Sequence, residues 1–95
     1  MRAVVTGVSR GIGRSICLKL AQDALARGKE ARIVATATGK SDDVHNVVAE
    51  LNAMGANARA VLGDLTSEED PGRIMVESLD FLGGLDALVN NAGFP

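Results

Sequence analysis

The chain is poor in aromatic and sulfur chemistry. It has no tryptophan and no tyrosine, two phenylalanines (Phe81 and Phe94) and a single cysteine, Cys17. One cysteine excludes an internal disulfide and fits a reducing compartment, so the expected location is cytoplasmic. With so few aromatic rings there is no stacking platform for single strands. The net charge of −2 likewise favours neither a nucleic acid nor an anionic membrane surface. No apolar run approaches the ~20 residues of a membrane span. Apolar sequence begins at Ala3, which leaves no room for a signal or transit peptide. His45 is the only histidine, and no cluster of His, Cys and carboxylates has metal-ligand spacing. The expectation is no metal, no membrane and no nucleic acid.

What remains is aliphatic. The 95 residues are 46% hydrophobic, which allows one domain with a modest core of Val, Leu, Ile, Ala and Met. The patterning alternates strand and helix. Residues 2–6 (RAVVT) read as a strand. From Gly11 to about Arg27, Ile12, Ile16, Leu20 and Ala24 recur every four residues, which is helical, and Gly28 ends the helix. Residues 32–37 (RIVATA) read as a second strand. Asp42 to Met54 reads as a helix, with Val44, Val47, Val48 and Leu51 on one face. Residues 57–63 (NARAVLG) read as a third strand. Thr66 to Leu82 reads as a third helix, with Pro71 near its first turn. Two caps compete there: Thr66 with Glu69 as a capping box, or Asp70 just before Pro71. Residues 85–90 (LDALVN) read as a fourth strand. The order βαβαβαβ with right-handed crossovers predicts an α/β, doubly wound parallel sheet of strand order 3-2-1-4.

The densest motif is TGVSRGIG, Thr6 to Gly13. Gly7, Gly11 and Gly13 lie between a strand and a helix. Such a turn needs positive φ or close approach, which glycine allows. The helix then presents free N–H groups and the positive end of its dipole, which suits a pyrophosphate. Two further stretches, GDLT (Gly63 to Thr66) and NNAG (Asn90 to Gly93), follow the third and fourth strands. In a parallel sheet both lie at the carboxyl edge beside the glycine turn, where ligands bind in open α/β sheets. A carboxylate there can accept from an adenine amino group, and small residues leave space for a ribose.

TGVSRGIG, GDLT and NNAG in that order resemble the short-chain dehydrogenase/reductase family across residues 2–94. The SRGIG loop and the ThrAlaThr after the second strand are similar to its 3-oxoacyl-(acyl carrier protein) reductase type. The resemblance implies a Rossmann-type sheet, with residues 1–95 as its dinucleotide-binding half. It implies that Gly7, Ser9, Arg10, Gly11, Ile12 and Gly13 hold the pyrophosphate region. Asp64 and Leu65 would flank adenine, and Asn91, Ala92 and Gly93 would line the adenosine ribose.

An NAD-selective enzyme places an acid at the end of the second strand. Here that end reads Thr36, Ala37, Thr38. Arg10 can pair bidentately with a 2′-phosphate and Thr38 can donate a hydroxyl, while Lys40 reads as a solvated surface lysine. The expected cofactor is therefore NADP(H) rather than NAD(H). The implied activity is hydride transfer between NADP(H) and a small carbonyl or alcohol. The family's catalytic Ser, Tyr-x-x-x-Lys and Asn are expected beyond Pro95, since the sequence contains no tyrosine. Ser9, Ser15, Ser41, Ser67 and Ser78 match the cofactor half, His45 a surface position, and Cys17, Met54 and Met75 the core. On this expectation the 95 residues carry no catalytic residue. A non-catalytic nucleotide-binding or interaction module is the alternative. Residues 21–30 read as an insertion lying away from the cofactor edge. The fourth strand is expected to form an apolar sheet edge through which the chain self-associates.

Overall fold

The computed structural model describes residues 1–8, 11–38 and 42–91. The elements run β1 (Arg2–Val5), α1 (Ile12–Ala26), β2 (Arg32–Ala37), α2 (Asp42–Ala53), β3 (Asn57–Leu62), α3 (Asp70–Leu82) and β4 (Ala87–Val89). The four strands are parallel in the order β3-β2-β1-β4. This is the expected order. Parallel strands with helices on both faces are buried on both sides, which is why β1 and β2 read as almost unbroken apolar runs.

Side chains alternate between two cores, as a pleated strand requires. Val5, Ile33, Ala35, Ala37 and Ala58 join Cys17, Ala21, Val44, Val47 and Leu51 in a cluster under α1 and α2. Val4, Val34 and Val61 join Ile74 and Leu82 in a smaller cluster under α3, with Phe81 packed at its margin. On that second face the Arg59 guanidinium stacks 4.8 Å from the Phe81 ring centroid, so one of the few aromatic rings covers the cationic residue of β3. Helix α1 is also clamped to α2: the Arg14 Nε and Nη2 groups each donate to the Glu50 carboxylate at 3.0 Å.

The four-residue spacing of Ile12, Ile16, Leu20 and Ala24 marks the helix, but the row of α1 that faces the sheet is Gly13, Cys17, Ala21 and Ala24, so the core position expected for Cys17 holds. Ile12 is 72% exposed, and Ile16 and Leu20 pack only at the margin of the cluster. Small residues take the inner row because the helix sits too close to β1 for larger ones. One expectation, the start of α3, is corrected. Neither competing cap forms: the helix begins at Asp70, its N-cap is Glu69, and no side chain caps it. Thr66 and Asp70 both turn to Asp64 instead, and the Asp70 amide donates to the Ser67 hydroxyl at 2.9 Å. β2 has the bounds read from sequence, β1 and β3 each end one residue earlier, and β4 keeps only Ala87–Val89 of residues 85–90.

Cys17 is fully buried, and burial pushes its thiol up to about 12. It is a protonated core residue at neutral pH. The expected insertion, residues 21–30, is the second half of α1 and the turn before β2, at the sheet edge opposite the glycine turn. No helix among the described residues is long and apolar enough to cross a membrane.

Ser78 shares the inner face of α3 with Ile74 and Leu82 and is fully buried, yet its hydroxyl has no hydrogen-bond partner among the described residues. An unpaired buried hydroxyl costs more than a methyl group in its place. Ser78→Ala is expected to raise the unfolding free energy by about 1 kcal/mol, read as a higher urea midpoint at unchanged slope. A lower midpoint would show that the hydroxyl has a partner in solution.

Candidate functional site

The carboxyl ends of the four strands lie along one edge. Strand order brings Asp64 and Leu65 after β3, Thr38 after β2, Gly7 after β1 and Asn91 after β4 to that edge. Ser9, Arg10, Ala92 and Gly93 belong to the same expected site but lie outside the described residues, as does Lys40.

The turn after β1 begins as a continuation of the sheet. The Val8 amide donates to the Thr36 carbonyl at 2.8 Å. Gly7 and Gly11 then take φ of 68° and 64°, in the left-handed region where side chains are strained. Gly11 is the N-cap of α1 and supplies no side-chain cap. Among the described residues no side chain caps the first-turn N–H groups of α1, which lie at the positive end of the helix. Exposed Ile12 stands beside them. Gly13 has a different reason. A Cβ built on it would lie 2.7 Å from the Gly7 carbonyl oxygen, 2.9 Å from Asn91 Nδ2 and 3.1 Å from the Val8 Cα. Nothing larger than hydrogen fits there.

Thr6 and Asn90 join the turn to the end of β4, and the sequence reading did not single out either. The Asn91 amide donates to Thr6 Oγ1 at 2.9 Å, and Thr6 Oγ1 donates to Asn90 Oδ1 at 3.1 Å. The Asn91 side chain donates from Nδ2 to the Gly7 carbonyl at 3.3 Å. Asn91 therefore braces the glycine turn from behind. The available signal was a threonine ending one apolar strand and an asparagine pair ending its neighbour.

After β3, Asp64 is exposed. Its Oδ1 accepts from the Thr66 hydroxyl at 2.6 Å and the Thr66 amide at 2.9 Å. The hydroxyl first, then the amide, hold the Asp64 carboxyl below its ordinary value. A lowered carboxyl adds stability above the ordinary aspartate range, and loses it as pH falls through the lowered folded value. Oδ2 has no partner among the described residues. Leu65 lines an apolar groove of about 280 Å³ that also touches Thr6, Ile74, Leu88 and Asn90. The site thus combines helix N–H groups, one free carboxylate oxygen and an apolar wall. That combination suits a ligand with a phosphate at one end and a flat base with an amino group at the other. No group of acids, His or Cys among the described residues could hold a metal ion.

The family model of the short chain dehydrogenases matches residues 1–95. The 3-oxoacyl-(acyl-carrier-protein) reductase FabG of Staphylococcus epidermidis is 35% identical over 91 residues, which cover 96% of this chain and 35% of that protein. The crystal structure of a dehydrogenase/reductase from Sinorhizobium meliloti superposes with a TM-score of 0.84 at 36% identity, covering 97% of this chain and 34% of that one. A metagenomic short-chain oxidoreductase solved in complex with NADP gives a TM-score of 0.82 at 37% identity, covering 97% and 38%. The chain spans about a third of the length of the curated relatives it matches.

Gly13→Ala is expected to cost about 1–3 kcal/mol of stability, the range of an overpacked contact. Gly72→Ala is the control: nothing lies within 4 Å of its Cβ and its φ is ordinary, so in helix α3 it should gain up to about 1 kcal/mol. Thermal unfolding of both variants reads the contrast. Equal effects would remove the close contact from the account.

Proposed function

The chain belongs to the short-chain dehydrogenase family, and we propose that its carboxyl edge binds NADP(H) as the dinucleotide-binding half of an oxidoreductase. One observation carries the reading. The glycine turn, Asp64 with Leu65, and Asn91 come from three different strand ends and lie along one edge. Parallel strands put every carboxyl end there, so what favours a ligand site is the chemistry gathered on that edge: left-handed glycines before a helix start, an exposed carboxylate, and an asparagine braced on the turn.

Each residue has a stated task. The N–H groups at the start of α1 take the pyrophosphate, because Gly7 and Gly11 bend the backbone aside and Gly13 lets the helix come close. Asn91 holds the Gly7 carbonyl, with Ala92 and Gly93 leaving room for the adenosine ribose. Asp64 accepts from the adenine amino group through its free Oδ2, and Leu65 packs against the ring. Ile12 offers apolar surface beside the turn. When bound, the nicotinamide supplies hydride exchange with a carbonyl or alcohol. The sequence contains no tyrosine to act as the family's proton donor. This chain's own task is thus binding and orientation, not proton transfer. A 3-oxoacyl thioester is the substrate proposed for the whole protein, from the staphylococcal relative's name and the sequence likeness.

The choice of NADP(H) over NAD(H) rests on the second strand. Thr36, Ala37 and Thr38 put no carboxylate where a 2′-hydroxyl would need one, and a carboxylate would repel a 2′-phosphate. Arg10 supplies the positive charge and Thr38 a hydroxyl. Arg10→Ala is expected to lower the NADPH/NADH affinity ratio at least about tenfold, the loss of a charge-assisted bidentate pair. An unchanged ratio in a titration of both cofactors would sink the assignment.

Self-association through β4 is proposed as well. The strand is an outer edge of the sheet, and Leu88 on it is 55% exposed. Val76 and Leu79 of α3 add 70% and 41% exposed apolar side chains. An apolar edge strand is a template for pairing. Sedimentation velocity should show a mass that rises with concentration, and Leu88→Glu should return it toward the 9.8 kDa monomer. A wild-type chain that stays monomeric at all concentrations would refute the proposal.

A further inference from the structure

The nucleotide site proposed above leaves one question open on its β3 side. Asp64 is exposed, and it sits in a turn with no ladder partner of its own. An exposed carboxylate that rotates freely discriminates poorly between bases, since ordering it at binding costs side-chain entropy. Something must hold it in advance.

Two side chains from the first turn of α3 reach back to the end of β3. Asp70 Oδ2 accepts the Asp64 amide at 2.8 Å. Arg73 Nη2 donates to the Leu62 carbonyl at 2.7 Å. These two backbone groups flank Gly63 on either side. The strand end is therefore gripped across one residue by an acid and a base. The two grips are themselves 3.8 Å apart, Arg73 Nη2 to Asp70 Oδ1. Arg73 is steadied further by Glu77 at 3.4 Å. Gly63 makes the grip possible: a Cβ there would lie 2.6 Å from Arg73 Nη2 and 2.8 Å from Ile74 Cδ1.

The consequence for Asp64 is specific. Its backbone is fixed by Asp70, and its side chain is fixed by Thr66, which consumes Oδ1. Only Oδ2 is left to accept. We infer that Asp70 is a positioning residue for base recognition: by taking the Asp64 amide, it holds the one free carboxylate oxygen toward the exocyclic amino group of an adenine ring. This rests on the reading of the edge as a dinucleotide site. Asp70 itself touches no ligand. Its contribution is to preorganise an acceptor, so it should affect the choice of base more than the binding of phosphates.

The test uses two ligands that differ only at that amino group: NADPH, and its purine analogue, which carries a hydrogen there. Affinities are measured by calorimetry for the wild-type chain, Asp70→Ala, Asp70→Asn, Asp64→Ala and the Asp64→Ala/Asp70→Ala double variant. The wild type should prefer the adenine ligand. Asp70→Ala should cut that preference about fivefold, the worth of one well-placed hydrogen bond, and barely change affinity for the purine ligand. Asp70→Asn keeps an oxygen for the Asp64 amide and should keep the preference. In the Asp64→Ala background, Asp70→Ala should have no further effect on the ratio. A purely structural role would lower both affinities together and leave the ratio intact, which would overturn the inference. Should Asp70→Ala fail to fold, Asp70→Ser retains a residue suited to a helix start but is too short to reach Asp64, and carries the same expectation. A wild-type chain that binds neither ligand would refute the dinucleotide reading instead. A wild-type chain that binds both equally would refute the role of Asp64.

Discussion

The structure depends on one contact in which there is no room. At Gly13, the backbone of α1 meets the Gly7 carbonyl, Val8 and the Asn91 side chain. That contact sets the height of α1 above the sheet. Everything along the helix follows from the height: Cys17 and Ala21 complete a row of small residues, while isoleucine and leucine are displaced to the flanks. The same contact aims the start of α1 at the sheet edge. A helix raised by one methyl group would lose its packing on β1 and also point its free N–H groups elsewhere. Packing and binding geometry here are a single constraint.

This explains what the sequence could and could not reveal. Strands, helices and strand order were legible because the apolar runs are short, glycine punctuates them, and crossovers of this length have one hand. The face of α1 was legible only at Cys17, read as a core residue, and not as a row. A four-residue repeat of Ile12, Ile16, Leu20 and Ala24 is the larger hydrophobic signal, and it outvotes the row one residue further along. Periodicity measures apolarity, whereas the helix here was selected for smallness. The start of α3 failed for a related reason. Thr66, Ser67, Glu69 and Asp70 are all good capping residues, and local sequence cannot tell that two of them are recruited by Asp64 across the turn. Both misses lie where a tertiary contact overrides a local preference.

For the candidate site the balance is similar. The glycines, Asp64 and Asn91 were legible as motifs, because backbone recognition leaves few residue choices. Thr6 and Asn90 were not, although both sit within the quoted motifs. Their side chains join one strand end to another, and such a link is visible only once β1 and β4 are known to be neighbours. Arg73 was invisible from sequence for the same reason. It reads as an ordinary surface arginine of α3, yet it holds the Leu62 carbonyl, eleven residues earlier.

The two sides of the sheet divide the site between them. The glycine turn belongs to the cluster under α1 and α2, through Val8 and Cys17. The turn that carries Asp64 belongs to the cluster under α3, through Leu65 and Ile74. The clusters share the strands but not their side chains, since alternate residues point to opposite faces. Coupling between the two ends of the site must therefore pass through the strand backbones and the Thr6 junction rather than through packed side chains. Sites without shared partners respond to change nearly independently. On the proposed reading, a substitution in the Asp64 turn on the α3 face alters base recognition and leaves phosphate binding on the other face unchanged. The two ends are each held by a glycine without room for a side chain, Gly13 against backbone and Gly63 against the Arg73 and Ile74 side chains.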